Sequence, residues 1–342
     1  VGDTVTVLPI VVAVAALTGL SLPNLLVGFA VFQVVWGLRY GHPMSVEPMK
    51  ALAALVIAGG LTTGEYVAAG LLAGAVLLVV GRTGTLARLA PYVGEPVVRG
   101  IQVGVALILL RTGVTTGLAA PSLAALAVVV ALVTVVTGHR DVAALAVLGL
   151  GAALAVTAAG TITPRLPTPT LLDPATLSFS RNAVGATVGQ LAMTVGNAAV
   201  ATSLLVEEYF DADASPDDLS TSMGVMNLLA VPLGAMPMCH GSGGVAGKYA
   251  FGARTATSNL VLGGLYLVLA VVAVDAVAAF PMAVLGVVLV LVAIELGRSG
   301  VDTEDPLLTG AVGVTALLVN VGVAFGVGIV GYHALKRVRG ET

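Results

Sequence analysis

Long apolar runs, separated by short polar or Gly- and Pro-rich segments, dominate the chain. A run of about 20 apolar residues is long enough to cross a lipid bilayer, and shorter runs suffice inside a bundle. The pattern predicts about fourteen spans, with Asn320 and Gly322 dividing the last apolar run into two. The predicted spans are residues 3–19, 23–39, 43–58, 64–80, 97–111, 122–137, 142–158, 183–205, 221–235, 237–251, 258–275, 281–297, 306–320 and 321–335.

The composition places most of the chain in lipid. Only 10% of the residues are charged and 58% are hydrophobic, whereas a soluble domain carries about 25% charged residues. The 43 glycines predict closely packed membrane helices. The single cysteine, Cys239, excludes an internal disulfide. The net charge of −3 gives no indication of a nucleic-acid partner, and we expect none.

The basic residues predict the orientation of the spans. A basic cluster at the C-terminus places that end in the cytoplasm, and an even number of spans places the N-terminus there too. Eleven of the 15 basic residues, including Lys248, then fall on or near inner ends, three fall outside and Lys50 lies within a span. The outer three are Arg111, Arg165 and Arg181. We therefore expect a multi-pass protein of the plasma membrane with both termini in the cytoplasm.

The two halves of the chain carry similar interruptions. In the first half, two spans precede a Pro-rich break at 42–48, and in the second half two spans precede a Gly-rich break at 237–244. Pro96 and Pro281 open a later pair of corresponding spans. Because seven spans per half is an odd number, the halves must be inverted relative to each other. This is the 7+7 inverted repeat found in many secondary transporters.

Each break predicts a short extended segment that leads into a half-helix starting inside the membrane. Pro43 and Pro48 keep the residues before them out of helical geometry, and Pro48 suits the first turn of the next helix. Gly241, Gly243 and Gly244 allow irregular backbone before the second helix. Irregular backbone at this depth requires a covering of protein or a polar cavity. The alternative is a pair of ordinary Pro and Gly kinks.

Two half-helix N-termini facing each other would form an anion site. Each end carries roughly half a positive charge and free amide groups. Nearby side chains would supply further donors, while Gln190, Thr194 and Asn197 share one helical face and predict either a cavity or an interhelical hydrogen-bond seam. The predicted substrate-binding residues are Ser45, Val46, Glu47, Gln190, Thr194, Asn197, Cys239, His240, Gly241, Ser242 and Gly243.

Glu47 is unexpected beside an anion, so we expect it to be protonated, turned away or paired. Lys50 follows three residues later and can balance its charge. The alternative is that Glu47 takes up a proton together with the substrate, which couples transport to a proton gradient. We expect a structural role near the site for Asp3, Thr4, Pro43 and Pro48. Cys239 beside His240 lacks spaced partners, so we expect no metal and no cofactor.

Three sequence blocks carry a resemblance to a known family. They are GDTVTVLPIVVAVA at 2–15, PMSVEPMKALAA at 43–54 and GAMPMCHGSGGVAGKYAFGAR at 234–254, supported by PVVRGIQ at 96–102 and GQLAMTVGN at 189–197. With them the chain resembles the molybdate transporter family, a relative of the sulfate permeases. Ser45, Glu47 and Lys248 replace the family's Pro, Gln and Gln, and the acid puts the substrate in question more than the fold.

The resemblance implies an all-α, uracil-permease-like fold. It implies a core domain from residues 1–80 and 161–275 and a gate domain from 81–160 and 276–342. Substrate would lie between the half-helices, and the core would move against the gate, in a homodimer. We therefore expect a transporter of a tetrahedral oxyanion, with molybdate ahead of sulfate, and with a proton as co-substrate if Glu47 takes one up. The alternatives are a different solute such as a nucleobase or carboxylate, or a passive anion channel. No hydrolase motif supports an enzyme.

Overall fold

The computed structural model describes residues 3–160, 163–168, 171–272 and 278–340. These residues are mainly helical, and their strands are β1 (Glu47–Pro48) and β2 (Met238–Cys239). The α-helices are α1 (Thr4–Thr18), α2 (Leu22–Tyr40), α3 (Lys50–Ile57), α4 (Thr63–Arg82), α5 (Leu86–Val93), α6 (Glu95–Gly117), α7 (Pro121–Val136), α8 (Ala143–Ala159), α9 (Arg181–Phe210), α10 (Pro216–Ala230), α11 (Ser242–Ala250), α12 (Thr257–Val272), α13 (Met282–Val301), α14 (Pro306–Leu318) and α15 (Val321–Arg339).

Several helices have the length and composition of membrane spans. In the described part of the chain, six are long and apolar enough to cross a bilayer, and four shorter ones, including α1 and α7, are strongly apolar. On α7, Val129 and Leu132 are more than half exposed. An apolar side chain in that position is stable when lipid covers it. The all-helical prediction is confirmed.

Each of the fourteen predicted spans overlaps one of these helices. Asn320 divides the last apolar run as predicted, because its Oδ1 accepts hydrogen bonds from the amides of Gly322 (2.7 Å) and Val323 (3.3 Å) and so caps α15. The eight-residue helix α5 was not predicted. It lies between Gly84 and Gly94, both at positive φ, and a search for long apolar runs passes over so short an element.

Glycines allow the helices to approach closely. A Cβ atom on Gly113 of α6 would collide with the carbonyl oxygen of Gly286 of α13, and the reverse also holds. A Cβ atom on Gly224 of α10 would meet the backbone of Leu78 of α4. The most extensive packing is between α6 and both α13 and α14, between α4 and α10, and between α2 and α12. Small residues therefore hold the main helix pairs together, as expected for a membrane bundle.

The two breaks meet at the centre of the bundle. β1 and β2 pair antiparallel, with Glu47 opposite Cys239 and Pro48 opposite Met238. The eight-residue α3 and the nine-residue α11 begin directly after these strands. Residues 192 and 190 positions apart in the sequence thus become neighbours, and both short helices begin from this one strand pair.

Two expectations about these breaks were wrong in detail. Pro48 lies in β1, not in the first turn of α3, because Met49 N–H donates to the Pro237 carbonyl (2.9 Å) and extends the pairing. Of the three glycines in the second break, only Gly241 is extended, because Gly243 and Gly244 already belong to α11. The reason for glycine at position 244 is space: a Cβ there would collide with the side chains of Asp3, Ser45 and Glu47.

Candidate functional site

A small polar cavity lies where β1, α3, α9 and β2 meet. It leaves about 10 Å³ for the centre of a water molecule, which is room for about one water. The lining residues are Glu47, Pro48, Lys50, Gln190, Met193, Thr194, Asn197, Ala198, Cys239 and His240. The cavity is thus polar but almost filled by its own side chains.

The cation in this cavity is Lys50, which is paired. Its Nζ lies 2.6 Å from Glu47 Oε2, and the Glu47 side chain is only 2% exposed. The other carboxylate oxygen of Glu47 accepts a hydrogen bond from Ser45 Oγ at 3.1 Å. The carboxylate is therefore directed towards Lys50 and Ser45, and the three-residue spacing places the pair at the start of α3.

A second buried ion pair lies behind the cavity. Asp3 is fully buried, and its carboxylate lies 3.0 Å from Lys248 Nζ. It also accepts hydrogen bonds from Ser45 Oγ and Gln33 Nε2, both at 2.6 Å. Lys248 donates in turn to the Met44 carbonyl at 2.6 Å. Asp3 therefore connects α1 with α2, with the segment before β1 and with α11.

The charges of this region balance. Asp3 and Glu47 contribute two negative charges, and Lys50 and Lys248 contribute two positive charges. A buried ion costs several kcal/mol unless it is paired. Glu47 and Lys248 are the two charged departures from the family pattern. Their charges are opposite, so together they leave the net charge of this region at zero.

The position of Lys248 corrects the charge count made from the sequence. Its side chain is 3% exposed and paired with Asp3, so it does not mark a cytoplasmic end. Ten basic residues then remain at predicted inner ends, three outside, and two, Lys50 and Lys248, within the bundle. The asymmetry that predicts the orientation persists.

Gln190 occupies the N-terminus of α3. Its Oε1 accepts hydrogen bonds from the amides of Ala51 (2.9 Å) and Leu52 (3.3 Å), and its Nε2 donates to Thr194 Oγ1 (3.0 Å). Two of the amide groups predicted to face an anion are thus held by a neutral side-chain oxygen. That oxygen marks the position where a more strongly charged acceptor would also be stabilised.

The polar face of α9 reaches the cavity although its helix is irregular. Thr194–Ala201 is a π-helical segment inside α9, and such segments often occur at functional sites. Gln190, Thr194 and Asn197 all line the cavity. Ser242 Oγ donates a short hydrogen bond to Asn197 Oδ1, which connects α9 to the first residue of α11. The predicted common face therefore combines cavity lining with an interhelical seam.

His240 and Cys239 connect the two breaks. The fully buried His240 ring has Nδ1 2.8 Å from the Ser45 carbonyl and Nε2 2.7 Å from Ser222 Oγ. Because a carbonyl only accepts, Nδ1 carries a proton. Cys239 Sγ lies 3.7 Å from the Pro48 carbonyl. Both ring nitrogens of His240 are therefore engaged within the protein.

The remaining predicted residues surround the cavity without lining it. Val46 is fully buried, and its amide lies 3.4 Å from Asp3 Oδ2. A Cβ on Gly241 would collide with the Glu47 carboxylate, whereas one on Gly243 would meet open space. The residues outside the lining set are Ser45, Val46, Gly241, Ser242 and Gly243. Two of the residues predicted to be structural are also buried: Thr4, at the start of α1, and Pro43, before β1.

Sequence reasoning missed the residues that support the site from α2 and α12. Asn259 Nδ2 donates to the Met44 carbonyl (2.7 Å) and to Gln33 Oε1 (2.8 Å). Lys248 also donates to Gln33 Oε1 at 3.0 Å. One signal was present in the sequence: Gln33 lies in the middle of the apolar run 25–38, and such polar residues within spans usually face a partner.

The long apolar helices and the buried polar centre define the class of the protein as a multi-pass membrane protein. The transmembrane domain of a cyanobacterial bicarbonate transporter, BicA, has a similar fold, with a TM-score of 0.68, 18% identity and 94% of both chains covered. The murine anion transporter Solute Carrier 26 family member A9, in an inward-facing state, gives a TM-score of 0.72 at 14% identity, covering 99% of this chain and 67% of that one. At these identities the likeness concerns the fold.

Sequence comparison then gives the family. A family profile described as a molybdate transporter of the MFS superfamily matches residues 1–109 and 182–296. Molybdate transporter 2 of Arabidopsis thaliana is 30% identical and covers 98% of this chain and 86% of its own length. The chain therefore belongs to the molybdate transporter family, as the sequence blocks predicted.

Proposed function

We propose that this protein is a secondary active transporter of a tetrahedral oxyanion, with molybdate as the first candidate and sulfate as the second. The observation that carries the proposal is the lining of the central cavity. One cation, Lys50, lies beside Gln190, Thr194 and Asn197 at the N-terminus of α3, next to the strand pair from which α11 also begins. Ammonium, amide and hydroxyl donors together with helix N-termini suit the four oxygens of such an anion.

Binding requires rearrangement, because the cavity has room for about one water. We propose that the oxyanion displaces Gln190 Oε1 from the amides of Ala51 and Leu52, and displaces Glu47 from Lys50. At the amides of α3, an anionic oxygen then replaces the neutral amide oxygen of Gln190 and forms stronger hydrogen bonds than it does. At Lys50, an anionic oxygen of the substrate replaces Glu47. Ser242 and Asn197, held together across α9 and α11, would then close on the anion.

Protonation of Glu47 would accompany this exchange. A carboxylate about 5 Å from a dianion costs roughly 6 kcal/mol at an effective dielectric constant of 20. The buried ion pairs sum to zero charge, so a bound dianion leaves two uncompensated negative charges, and a proton on Glu47 removes one. Lys50, released by neutral Glu47, would then face the substrate. This gives a physical route to proton coupling.

We infer that substrate moves by displacement of a core domain against a gate domain. Core segments are 1–80 and 161–275, and gate segments are 81–160 and 276–342. Extensive packing of α4 with α10, α2 with α12, and α6 with α13 falls within these groups. Exchange of the two sequence halves converts the first pair into the second, which supports a 7+7 inverted repeat in which α3 and α11 are half-helices.

We further propose a homodimer in the plasma membrane with both termini in the cytoplasm. The orientation follows from the basic residues, since Lys336, Arg337 and Arg339 end the last helix. The dimer follows from the resemblance to the uracil-permease-like fold.

Uptake by purified protein in proteoliposomes tests the function. We expect accumulation of labelled molybdate, driven by an inward proton gradient and competed by tungstate and sulfate. Lys50→Gln should abolish uptake, whereas Arg140→Gln, which removes an exposed cation paired with Asp141, should not. Competition by nucleobases without oxyanion binding, or anion current without proton movement, would assign the alternative solute or the channel instead.

A further inference from the structure

A second, larger cavity lies between the ends of several helices. It leaves about 490 Å³ for the centre of a water molecule, far more than the central cavity. Its walls come from the end of α3 and the following turn, from α6, from the start of α9 and from the junction of α14 with α15. The polar lining residues are Arg111, Thr112, Thr115, Asn182 and Asn320. The space is therefore large and partly polar, unlike a lipid-filled groove.

Arg111 gives this cavity a positive charge. Among the residues that the structure describes, it is the one charged residue that lines the cavity, and none of them that lines it is acidic. Throughout the described ranges, no carboxylate or hydrogen-bond acceptor lies within bonding distance of its guanidinium group. Glu65, in the first turn of α4, is already engaged elsewhere, since its carboxylate accepts hydrogen bonds from the Thr62 amide (2.8 Å) and from Ser180 Oγ (2.5 Å). Arg111 is an exposed residue, and an ionisable residue of a membrane bundle that lines a water-accessible cavity often marks a path for ions or substrate.

The same two helices connect this cavity to the central one. Along α3, Lys50 lines the central cavity and Leu55 the larger one; along α9, Gln190 lines the first and Asn182 the second. Eight residues of α-helix span about 12 Å. The opposite wall consists of α6, α14 and α15. The larger cavity is thus at the boundary of the proposed core and gate, at the end of the molecule away from the basic C-terminus of α15.

We propose that this cavity is the outer vestibule of the transporter and that Arg111 is an anion-collecting residue within it. The proposal rests on the proposed function for the identity of its ligand, a tetrahedral oxyanion dianion. A cationic cleft concentrates anions and raises their rate of association. The planar guanidinium group can donate two parallel hydrogen bonds to an oxyanion, and the Asn182 and Asn320 amides line the same space. The anion then reaches Lys50 along α3 and α9.

Transport kinetics provide the first test. In Arg111→Gln proteoliposomes, we expect the KM for molybdate to rise about tenfold while kcat changes less than about twofold, because collection is weakened and the central site is intact. Arg111→Lys should restore most of the affinity. Arg140→Gln, the same charge change at an exposed site elsewhere, should leave KM unchanged. An unchanged KM in Arg111→Gln would overturn the proposal.

Thiol labelling provides a second test that does not depend on transport. The single cysteine, Cys239, is buried, so a cysteine introduced by Thr115→Cys can be modified selectively. The measured quantity is the rate of reaction with a sulfonate-bearing thiosulfonate reagent divided by the rate with a trimethylammonium-bearing one. We expect this ratio to be several-fold higher for Thr115→Cys than for the exposed control Thr137→Cys. Arg111→Gln should abolish that preference, and molybdate should slow the labelling.

The two proposals can fail separately. If the wild-type protein carries no oxyanion but the charge preference at position 115 depends on Arg111, the proposed function is wrong and the anion-collecting vestibule stands. If the preference is the same with and without Arg111, the vestibule proposal is wrong, whatever the protein transports.

Discussion

At the scale of single residues, the buried polar centre depends on close fits around two acids. Asp3, Ser45 and Glu47 converge on the first turn of α11, where position 244 has no side chain. Their hydrogen bonds and the ion pairs with Lys50 and Lys248 hold β1 against α11. The chain thus combines a steric requirement with a charge requirement within a few residues.

The steric requirement predicts a contrast between two adjacent glycines. Gly244→Ala should lower stability by about 1–3 kcal/mol, the usual cost of overpacking, because the added methyl would collide with three buried side chains. Gly243→Ala should be neutral or slightly stabilising, since a Cβ there meets open space and alanine favours helix. Thermal unfolding of both variants in detergent measures the difference. Equal midpoints would contradict this packing.

The charge requirement predicts non-additive substitutions. Lys248→Gln leaves Asp3 buried without its cation, which costs about 3–5 kcal/mol. Glu47→Gln removes the partner of Lys50 in the same way. The double variant restores zero net charge and the family's pair of glutamines, so its loss of stability should be clearly smaller than the sum of the single losses. A double-mutant cycle on unfolding midpoints checks this, and strict additivity would show that the two pairs are independent.

At the scale of elements, two very short helices are the unusual feature. Helices of eight and nine residues are marginal on their own, so neighbouring elements must stabilise them. For α3 the stabilising group is Gln190 of α9, which holds two of its first amides. For α11 it is Asn197 of the same helix, through Ser242. α9 therefore stabilises the first turns of both short helices, and one of its two contacts, Asn197, lies within its π-helical segment.

Gln190→Glu separates stability from transport. A carboxylate at this position accepts the same amide hydrogen bonds from α3 and interacts favourably with the helix N-terminus. It should therefore keep the fold, with an unfolding midpoint several degrees below that of the wild-type protein, because the helix N-terminus balances only part of the added buried charge. Uptake should be lost, because the fixed negative charge occupies the place proposed for the substrate oxyanion. Normal molybdate uptake by a folded Gln190→Glu protein would exclude that place as the binding position.

At the scale of the whole molecule, the proposed mechanism requires that two groups of helices move relative to each other. α6 of the proposed gate contacts both groups. A Cβ on Gly196 of α9 would lie 3.5 Å from Val98 Cβ of α6, and a Cβ on Gly297 of α13 would lie 3.6 Å from Ala106 Cβ of α6. Both separations suit a disulfide. The first would cross the proposed domain boundary, and the second would stay within the gate.

Crosslinking at these positions tests the motion. Oxidation of the Val98→Cys/Gly196→Cys protein should stop uptake, and a reductant should restore it, because the core is fixed to the gate. The oxidised Ala106→Cys/Gly297→Cys protein should continue to transport. Equal inhibition of both, or of neither, would contradict the proposed division into core and gate. Mass spectrometry of the oxidised proteins confirms that each disulfide has formed.

The sequence by itself determined the order of the long apolar helices, the two breaks and the family. These features are local: an apolar run must be long enough for its solvent, and Pro or Gly interrupts a helix wherever it stands. The sequence did not show at which residue α3 begins, because backbone pairing between Met49 and Pro237 decides it. The short helix α5 escaped because it is defined by two glycine turns and not by an apolar run.

Only the tertiary structure decided how the buried polar groups are partnered. Asp3 and Lys248 are 245 positions apart in the sequence, yet they form an ion pair at 3.0 Å. Gln190 closes the N-terminus of a helix 139 residues away. A buried polar atom must find a partner, but its own sequence neighbourhood does not specify which one. That choice depends on which helices become neighbours, and this is a property of the whole bundle.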